Sequence, residues 1–123
     1  PADFWNTVKY FGRHEFSCKC GKCGGYPVEP SESLVRVLDV LRERMSVPIY
    51  VNSGVRCKAH NVSVGGSKDS RHIYGDAADI RTDTISPKTM YEAACAILPD
   101  GGVGLYSWGI HVDTRGYKAR WNG

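Results

Sequence analysis

Residues 70–80 have the sequence SRHIYGDAADI, in which a polar turn leads into a short apolar strand that contains an acidic residue. His72 stands at the end of a polar, Gly-rich stretch, and Asp79 follows seven residues later within the apolar run 77–80. A carboxylate that is ionised in such a strand needs a cation or several hydrogen bonds to offset its desolvation. This stretch therefore predicts a buried strand that carries a polar site.

A second candidate stretch, residues 109–113 (GIHVD), places His111 in another apolar strand. Two imidazoles and one carboxylate are a suitable ligand set for catalytic zinc, whose fourth position is left to water. Zinc lowers the pKa of such a water toward about 7 and polarises a carbonyl group, which is the chemistry that amide hydrolysis requires. From the residues alone, a zinc site formed by His72, Asp79 and His111 and a buried, hydrogen-bonded His–Asp pair both remain open.

Two further segments predict helices. A stripe of apolar residues indicates a helix that begins at Ser31 or Ser33 and ends near Met45. Ser86-Pro87 is typical of the start of a second helix, which stops at Pro99. A short amphipathic helix is also predicted within residues 1–13.

The remaining segments predict short strands and loops. Strands are predicted at residues 49–51, 77–80, 103–106 and 109–113, and the last two form a hairpin. The polar, Gly-rich residues 52–71 are predicted to form a long loop, which in a compact domain is usually functional. These elements favour an α+β fold in which helices pack on one side of a small antiparallel sheet.

Length and composition limit the function classes. The 123 residues are expected to form a single domain, residues 1–123, because a second core needs roughly another hundred residues. The formal charge of +3 suits an anionic polymer such as a cell wall and is too small to indicate nucleic-acid binding. Apolar runs are too short for a transmembrane helix, and no signal peptide is visible, although a start at Pro1 suggests a processed or excised piece. We expect a monomer.

The cysteines raise a separate question. Three of the five lie in the Cys-rich segment 14–25, as Cys18, Cys20 and Cys23, and Cys57 is a candidate partner for them. These four residues permit one or two disulfides in an extracellular protein, a structural metal site, or plain thiols. The spacing C-x-C-x2-C differs from the common C-x2-C pair of zinc sites, so the sequence leaves all three open.

Several motifs occur in a defined order along the chain. The pattern S-x-H-x-x-G-x-A-x-D begins at Ser70, and the other motifs are S-G-V-R at 53–56, H-N-x-x-V-G-G-S at 60–67, G-V-G-L-Y at 102–106, H-V-D at 111–113 and R-W at 120–121. Together they resemble the zinc D-Ala-D-Ala carboxypeptidase family, peptidoglycan-trimming metallopeptidases related to the hedgehog signalling domain and the lysostaphin-type enzymes. The resemblance covers roughly residues 14–121 and is closest to small bacterial and bacteriophage members, in which a Cys-rich N-terminal stretch also occurs.

The resemblance implies roles for individual residues. It implies that His72, Asp79 and His111 bind zinc and that the substrate is the stem peptide of peptidoglycan. Arg56 corresponds to the arginine that binds substrate and stabilises the oxyanion of the tetrahedral intermediate, a task that suits a planar, always charged guanidinium. Ser70 either hydrogen-bonds the substrate or caps its loop.

The general base is the point at which this sequence departs from the better-known members. Several relatives have an acidic residue or histidine two or three positions before the last ligand, where this chain has Trp108 and Gly109. Asp113 is the best remaining candidate, because residues two apart in a strand point to the same face and Asp113 can share the cleft with His111. The alternative is that Asp113 orients a ligand imidazole.

The resemblance therefore implies zinc-dependent hydrolysis of a peptidoglycan stem-peptide bond. The expected bond is the terminal D-Ala-D-Ala bond or another bond of the same peptide, cut outside the cell, in the wall or periplasm, by a bacterial or phage-encoded protein. The alternative is a non-catalytic, zinc-containing module of the same fold that binds the cell wall or serves as a virion component.

Overall fold

The computed structural model describes residues 2–123, with side chains from Phe4 onward. The α-helices are α1 (Ala2–Trp5), α2 (Glu32–Met45), α3 (Lys58–Ser63) and α4 (Pro87–Ile97). The strands are β1 (Tyr50–Ser53), β2 (Ala77–Arg81), β3 (Gly102–Leu105), β4 (Ile110–Asp113) and β5 (Ala119–Asn122). Two 3₁₀ turns occupy Arg13–Phe16 and Arg71–Tyr74.

The two longer helices form where their caps and apolar stripes predict them. The hydroxyl of Ser31 accepts a hydrogen bond from the N–H of Leu34, and Ser86 caps α4 in the same way. The buried residues of the two helices are Leu34, Val35, Leu38 and Leu41 in α2, and Met90 and Ala94 in α4. Helix α4 packs against α2 and also against β3 and β4, so the core lies between the helices and the sheet. Among residues 2–123, no helix has the length and apolar character needed to cross a bilayer.

The strands form one sheet in the order β1-β2-β4-β3-β5. The pairings β1–β2, β2–β4 and β3–β4 are antiparallel, whereas β3 and β5 are parallel. The predicted α+β class is confirmed. The sheet is mixed because β5, which the sequence analysis does not predict, pairs with the free edge of β3.

One row of residues crosses four strands of this sheet. Asp79 on β2 lies opposite His111 on β4, His111 lies opposite Gly104 on β3, and Gly104 lies opposite Trp121 on β5. Residues that face each other on neighbouring strands are close enough for their side chains to interact. The register therefore brings a carboxylate, an imidazole and an indole together.

The prediction of one long loop at residues 52–71 is wrong. Strand β1 continues to Ser53, and α3 occupies Lys58–Ser63. The sulfur of Cys57 caps α3 by accepting a hydrogen bond from the N–H of His60 at 3.4 Å. In this short helix only Asn61 is buried, so the sequence has no apolar stripe by which it could be predicted.

The predicted helix within residues 1–13 is limited to α1, and residue 1 lies outside the described part of the chain. The N–H groups of Lys9 and Tyr10 donate to the carboxylate of Asp39 in α2, at 2.8 and 2.9 Å. The backbone of this segment is therefore bound to α2 and does not continue the helix. Phe4 and Phe11 are nevertheless buried in the core.

Candidate metal centre

The three ligands predicted for zinc converge at the sheet. One carboxylate oxygen of Asp79, Oδ1, lies 3.2 Å from Nε2 of His72 and 2.9 Å from Nδ1 of His111. One potential ligand atom from each residue lies within 4.8 Å of the other two. Both histidines are buried, and all three residues line an open cleft. Two imidazole nitrogens and one carboxylate oxygen that face a cleft are the donor set of an open zinc site, so the residues fit this metal.

His72 is held by the polar turn before β2. The backbone N–H of His72 donates to the hydroxyl of Ser70 at 3.3 Å, and Ser70 thereby caps the 3₁₀ turn Arg71–Tyr74. Its ring Nδ1–H donates to the carbonyl oxygen of Gly54 at 2.7 Å. Because a neutral imidazole has one N–H, this bond leaves the lone pair on Nε2, which is the atom that faces Asp79.

His111 is oriented from its other side by Asp113. Nε2 of His111 lies 2.7 Å from Oδ2 of Asp113, and this carboxylate also accepts two hydrogen bonds from the Arg115 guanidinium and a third from the N–H of Gly102. Asp113 is fully buried and does not line the cleft. Of the two predicted roles for Asp113, this geometry favours the orientation of a ligand imidazole over that of a base in the cleft.

The charges around His111 are set by these contacts. Burial by itself raises the pKa of Asp79, but the contacts of its carboxylate with His111 and His72 outweigh it and hold that pKa well below its usual range. For Asp113, burial is outweighed in the same way by Arg115 and then His111, and its pKa is also lowered. Burial lowers the pKa of His111, yet the hydrogen bonds to Asp113 and Asp79 raise it overall. Two ionised carboxylates therefore flank this imidazole, and they favour a cation at the centre.

Arg56 contacts the ligand set directly. Its Nη2 donates to Oδ2 of Asp79, its Nε donates to Ser53, and its Nη1 donates to Asn61, each at 3.1 Å. A guanidinium has five N–H groups. Two of them consequently have no partner among the described residues, and the side chain lines the cleft. Arg56 thus has a fixed position and N–H groups to spare.

The cleft has a volume of about 720 Å³, the size of a site for a small ligand or a short peptide. Three arginines contribute to its wall: Arg56, Arg71 and Arg115. Four aromatic residues also contribute: Tyr106, Trp108, Tyr117 and Trp121. The rings of Tyr106 and Trp108 stack with their centroids 5.0 Å apart, and the indole N–H of Trp121 donates to the Tyr106 hydroxyl at 2.8 Å. Cationic groups and flat apolar surfaces are therefore both available to a ligand.

Comparison with known proteins places the chain in a family. The model of a family described as Peptidase M15 matches residues 9–113, which is most of the chain. The chain belongs to the peptidase M15 family. The match includes His72, Asp79 and His111, and it confirms the family resemblance that the motifs indicate.

An individual relative matches over a shorter stretch. The zinc D-Ala-D-Ala carboxypeptidase of Streptomyces albus G is 48% identical to this M15 family member over 44 residues. These residues make up 35% of the chain and 17% of the relative. The comparison therefore concerns a small part of that protein.

The cleft of this M15 family member contains residues that the sequence analysis does not predict, among them Arg71, Arg115 and Trp121. Arg71 pairs with Asp76, with its Nη2 2.5 Å from the carboxylate, and Arg115 pairs with Asp113. Each of these arginines lies close in sequence to the aspartate with which it pairs. A buried carboxylate needs a cationic partner, so this closeness is a signal from which Arg71 and Arg115 could have been predicted. Trp121 offers no such signal, because it reaches His111 only through the pairing of β5 with β3.

The four cysteines whose bonding the sequence leaves open lie together in the structure. They form a cluster that is separate from the three ligands of the cleft. The sulfur atoms of Cys18, Cys20, Cys23 and Cys57 all lie within 4.8 Å of one another. The described chain contains no disulfide, and Cys95 packs against the core from α4. The cluster joins the segment 14–25 to the loop that follows β1.

Gly75 is expected to be intolerant of substitution because its backbone and its surroundings both exclude a side chain. Its φ is +78°, and an added Cβ would lie 2.4 Å from the carbonyl oxygen of Glu29. We expect Gly75→Ala to lower the free energy of unfolding by about 1–3 kcal/mol, as measured by chemical denaturation. Gly65→Ala is the matched control, because Gly65 has a φ of +73° and nothing within 4 Å of its added Cβ. Equal losses in the two variants would show that the contact with Glu29 has no cost.

Proposed function

We propose that the protein is a zinc peptidase that hydrolyses an amide bond in the stem peptide of peptidoglycan, with the terminal D-Ala-D-Ala bond as the preferred target. The observation that carries this proposal is the convergence of His72, Asp79 and His111 in an open, cationic cleft. Membership of the peptidase M15 family and the similarity to a zinc D-Ala-D-Ala carboxypeptidase support it. The substrate implies action at the cell wall or in the periplasm, and we propose that location too.

In this proposal, His72, Asp79 and His111 hold the zinc ion. When bound, zinc supplies a Lewis acid that polarises a carbonyl group and lowers the pKa of water toward neutrality. Gly54 keeps the His72 imidazole in the tautomer suited to a ligand, and Asp113 does the same for His111. The remaining steps fall to residues of the cleft.

Arg56 is proposed to bind the substrate carbonyl and to stabilise the negative charge that develops on its oxygen. Three of its N–H groups hold it against Asp79, Ser53 and Asn61, so the guanidinium is oriented before substrate arrives. The two other N–H groups are available as donors. Donors that are fixed in advance are effective because they need no reorganisation as charge develops.

The other cleft arginines favour a substrate with a free carboxylate. A carboxypeptidase substrate carries a terminal carboxylate next to the bond that is cut, and guanidinium groups bind carboxylates strongly. Arg71 also pairs with an aspartate, Asp76, through two of its five N–H groups, but its side chain is 33% exposed whereas that of Arg115 is 18% exposed, so Arg71 is the more accessible partner. Ser70, which caps the turn beside Arg71 and also lines the cleft, is proposed as a further hydrogen-bonding partner for substrate. This preference for a terminal carboxylate is the reason for naming the D-Ala-D-Ala bond.

We propose Asp69 as the group that accepts and returns the proton. The carboxylates in the cleft wall are those of Asp69 and Asp79, and Asp79 is engaged by two histidines and Arg56. Asp69 is exposed, and its carboxylate has no hydrogen-bond partner among the described residues. It is therefore the cleft carboxylate that is free to exchange a proton with substrate, whereas Asp113 is enclosed.

Asp69→Asn is expected to reduce kcat about a hundredfold, because a positioned acid–base group typically contributes at least that much. Zinc content and stability should remain those of the wild type, since Asp69 has no partner to lose. The measurement is steady-state hydrolysis together with elemental analysis, and Asp83→Asn, at another exposed aspartate, is the control. Unchanged kcat in Asp69→Asn would assign the proton transfer to another group.

The function itself is tested with synthetic stem peptides. Peptides that end in D-Ala-D-Ala, the same peptides with an amidated C-terminus, and cross-linked stem peptides are incubated with the zinc-loaded protein, and products are identified by mass spectrometry. We expect release of the terminal D-Ala from the free-acid peptide and much slower cleavage of the amidated one. Equal cleavage of both peptides would overturn the role given to the terminal carboxylate. His72→Ala is the inactive control.

A non-catalytic wall-binding module of the same fold is the second candidate. It is motivated by Trp108 and Gly109, which occupy the positions where several relatives have a base, and by the exposed Trp108 in an aromatic cleft wall. Aromatic rings of this kind are effective binding surfaces for sugars and peptides. Retention of the protein on purified cell walls with no cleavage of any stem peptide would favour this second function.

A further inference from the structure

We propose that Cys18, Cys20, Cys23 and Cys57 bind a second zinc ion, whose role is structural. The four sulfur atoms come from two separate parts of the chain, the segment 14–25 and the residue that precedes α3. This site is independent of the proposed function, because none of its ligands lines the cleft.

The spacing of the sulfur atoms fits a tetrahedral zinc ion. Four sulfurs that each lie about 2.3 Å from zinc are about 3.8 Å apart. The sulfurs of Cys20 and Cys57 lie 3.9 Å apart, and all four are within 4.8 Å of one another. One disulfide would use two of the sulfurs and two disulfides would use all four, but none of the described cysteines is bonded to another. One zinc ion uses all four sulfurs without an S–S bond.

The backbone around the cluster presents N–H groups to the sulfur atoms. Cys20 accepts from the N–H groups of Lys22 and Cys23, both at 3.3 Å, and Cys18 accepts from the N–H of Cys57 at 3.4 Å. The sulfur of Cys57 in turn accepts from the N–H of His60. Hydrogen bonds of this type stabilise the charged form of a thiol, which is the form that binds metal.

The segment between the cysteines is shaped to turn around an ion. Gly21, Gly24 and Gly25 all have positive φ, between 74° and 95°, and the N–H of Cys18 donates to the carbonyl of Gly25 at 2.7 Å. Glycine adopts this conformation at little cost, so the chain can fold back within a few residues. The turn brings Cys20 and Cys23 back toward Cys18.

The closeness of the four sulfur atoms favours a bound cation. All four lie within 4.8 Å of one another, so thiolates at these positions would repel each other, and a divalent cation between them removes that cost.

The site would connect the N-terminal segment to the loop that supports the metal centre. Next to the cluster, the N–H of Val55 donates to the carbonyl of Phe16 at 2.9 Å, and the N–H of Arg56 donates to the carbonyl of His72 at 3.0 Å. Gly54, whose carbonyl orients the His72 ring, belongs to the same loop. Zinc at the four cysteines would therefore stabilise the loop that holds Arg56 and His72.

The experiment counts zinc ions by elemental analysis of protein produced with zinc. We expect two zinc ions per chain in the wild type, one in Cys57→Ser, one in His72→Ala and two in Cys95→Ser, the control for a cysteine outside the cluster. If Cys57→Ser fails to fold, Cys23→Ser replaces it, since Cys23 is the exposed member of the cluster. Cobalt in place of zinc in His72→Ala should give the strong near-ultraviolet charge-transfer absorption of a cobalt–thiolate site.

Different results separate this proposal from the proposed function. A zinc ion that is retained in His72→Ala and lost in Cys57→Ser supports the cysteine site even if no peptide is hydrolysed. The proposal is overturned if Cys57→Ser or Cys23→Ser keeps the zinc content of the wild type. It is also overturned if alkylation and mass spectrometry of the purified wild type find a disulfide among the four cysteines.

Discussion

Asp79→Ala is expected to remove zinc from the cleft and to reduce peptide hydrolysis by about a thousandfold or more. Oδ1 of Asp79 is the atom on which both histidines converge, and Oδ2 is bound by Arg56. Without the carboxylate, two imidazoles and a mostly buried guanidinium would face each other with no negative charge between them. The loss of a catalytic metal removes several kcal/mol of transition-state stabilisation, and each 1.36 kcal/mol is worth about tenfold in rate.

Elemental analysis and stem-peptide hydrolysis measure this effect, with Asp83→Ala as the matched control. Asp83 is exposed and pairs with Arg81 just after β2, so its loss should change neither zinc content nor activity. The cysteine cluster should keep its own zinc ion in Asp79→Ala. Full hydrolysis by Asp79→Ala would exclude a metal centre at the convergence point as the source of activity.

Asp113→Asn is expected to destabilise the protein by about 3–5 kcal/mol, the cost of breaking a buried ion pair by removing one charge. The fully buried carboxylate accepts hydrogen bonds from His111, Gly102 and Arg115, and an amide cannot accept all of them. The guanidinium of Arg115, which is 18% exposed, would lose its partner. Chemical denaturation measures this loss, and Asp100→Asn, at an exposed position, is the control.

The same variant tests whether Asp113 positions His111. Partners that orient a ligand imidazole typically contribute 10–100-fold to metal affinity, so zinc should bind about that much more weakly to the cleft of Asp113→Asn under conditions where the variant is folded. The nitrogen NMR shifts of His111 should report an altered ring tautomer. Wild-type zinc affinity and an unaltered tautomer, with reduced stability, would limit Asp113 to a structural role.

The helices and the chemical character of the metal centre could be predicted from local sequence. Ser31 and Ser86 cap helices that carry apolar stripes, and both helices form as expected. Asp79 and His111 stand out because polar, metal-binding side chains occur where the flanking residues are apolar. Such patterns depend only on the periodicity of one helix or one strand, and this periodicity can be read from the local sequence alone.

The role of Asp113 could not be predicted, because it depends on burial and on a partner. Period-two alternation puts Asp113 and His111 on one face of β4, and that is compatible with a base in the cleft or with an orienting carboxylate. The packing encloses Asp113 among Arg115, Gly102 and His111, so its oxygens point away from the cleft wall. Helix α3 could not be predicted either, since a helix with one buried residue has no periodic pattern of apolar residues.

By itself, the sequence determined which side chains are available for chemistry, where the two longer helices begin and end, and the family to which the chain belongs. The tertiary structure decided how these side chains meet. The register of β2, β4, β3 and β5 sets Asp79 beside His111 and brings Trp121 next to them, and the packing of the segment 14–25 against the loop after β1 brings Cys57 within reach of three other sulfurs. Both arrangements join residues that are distant along the chain, and such contacts follow from strand pairing and core packing rather than from any local pattern.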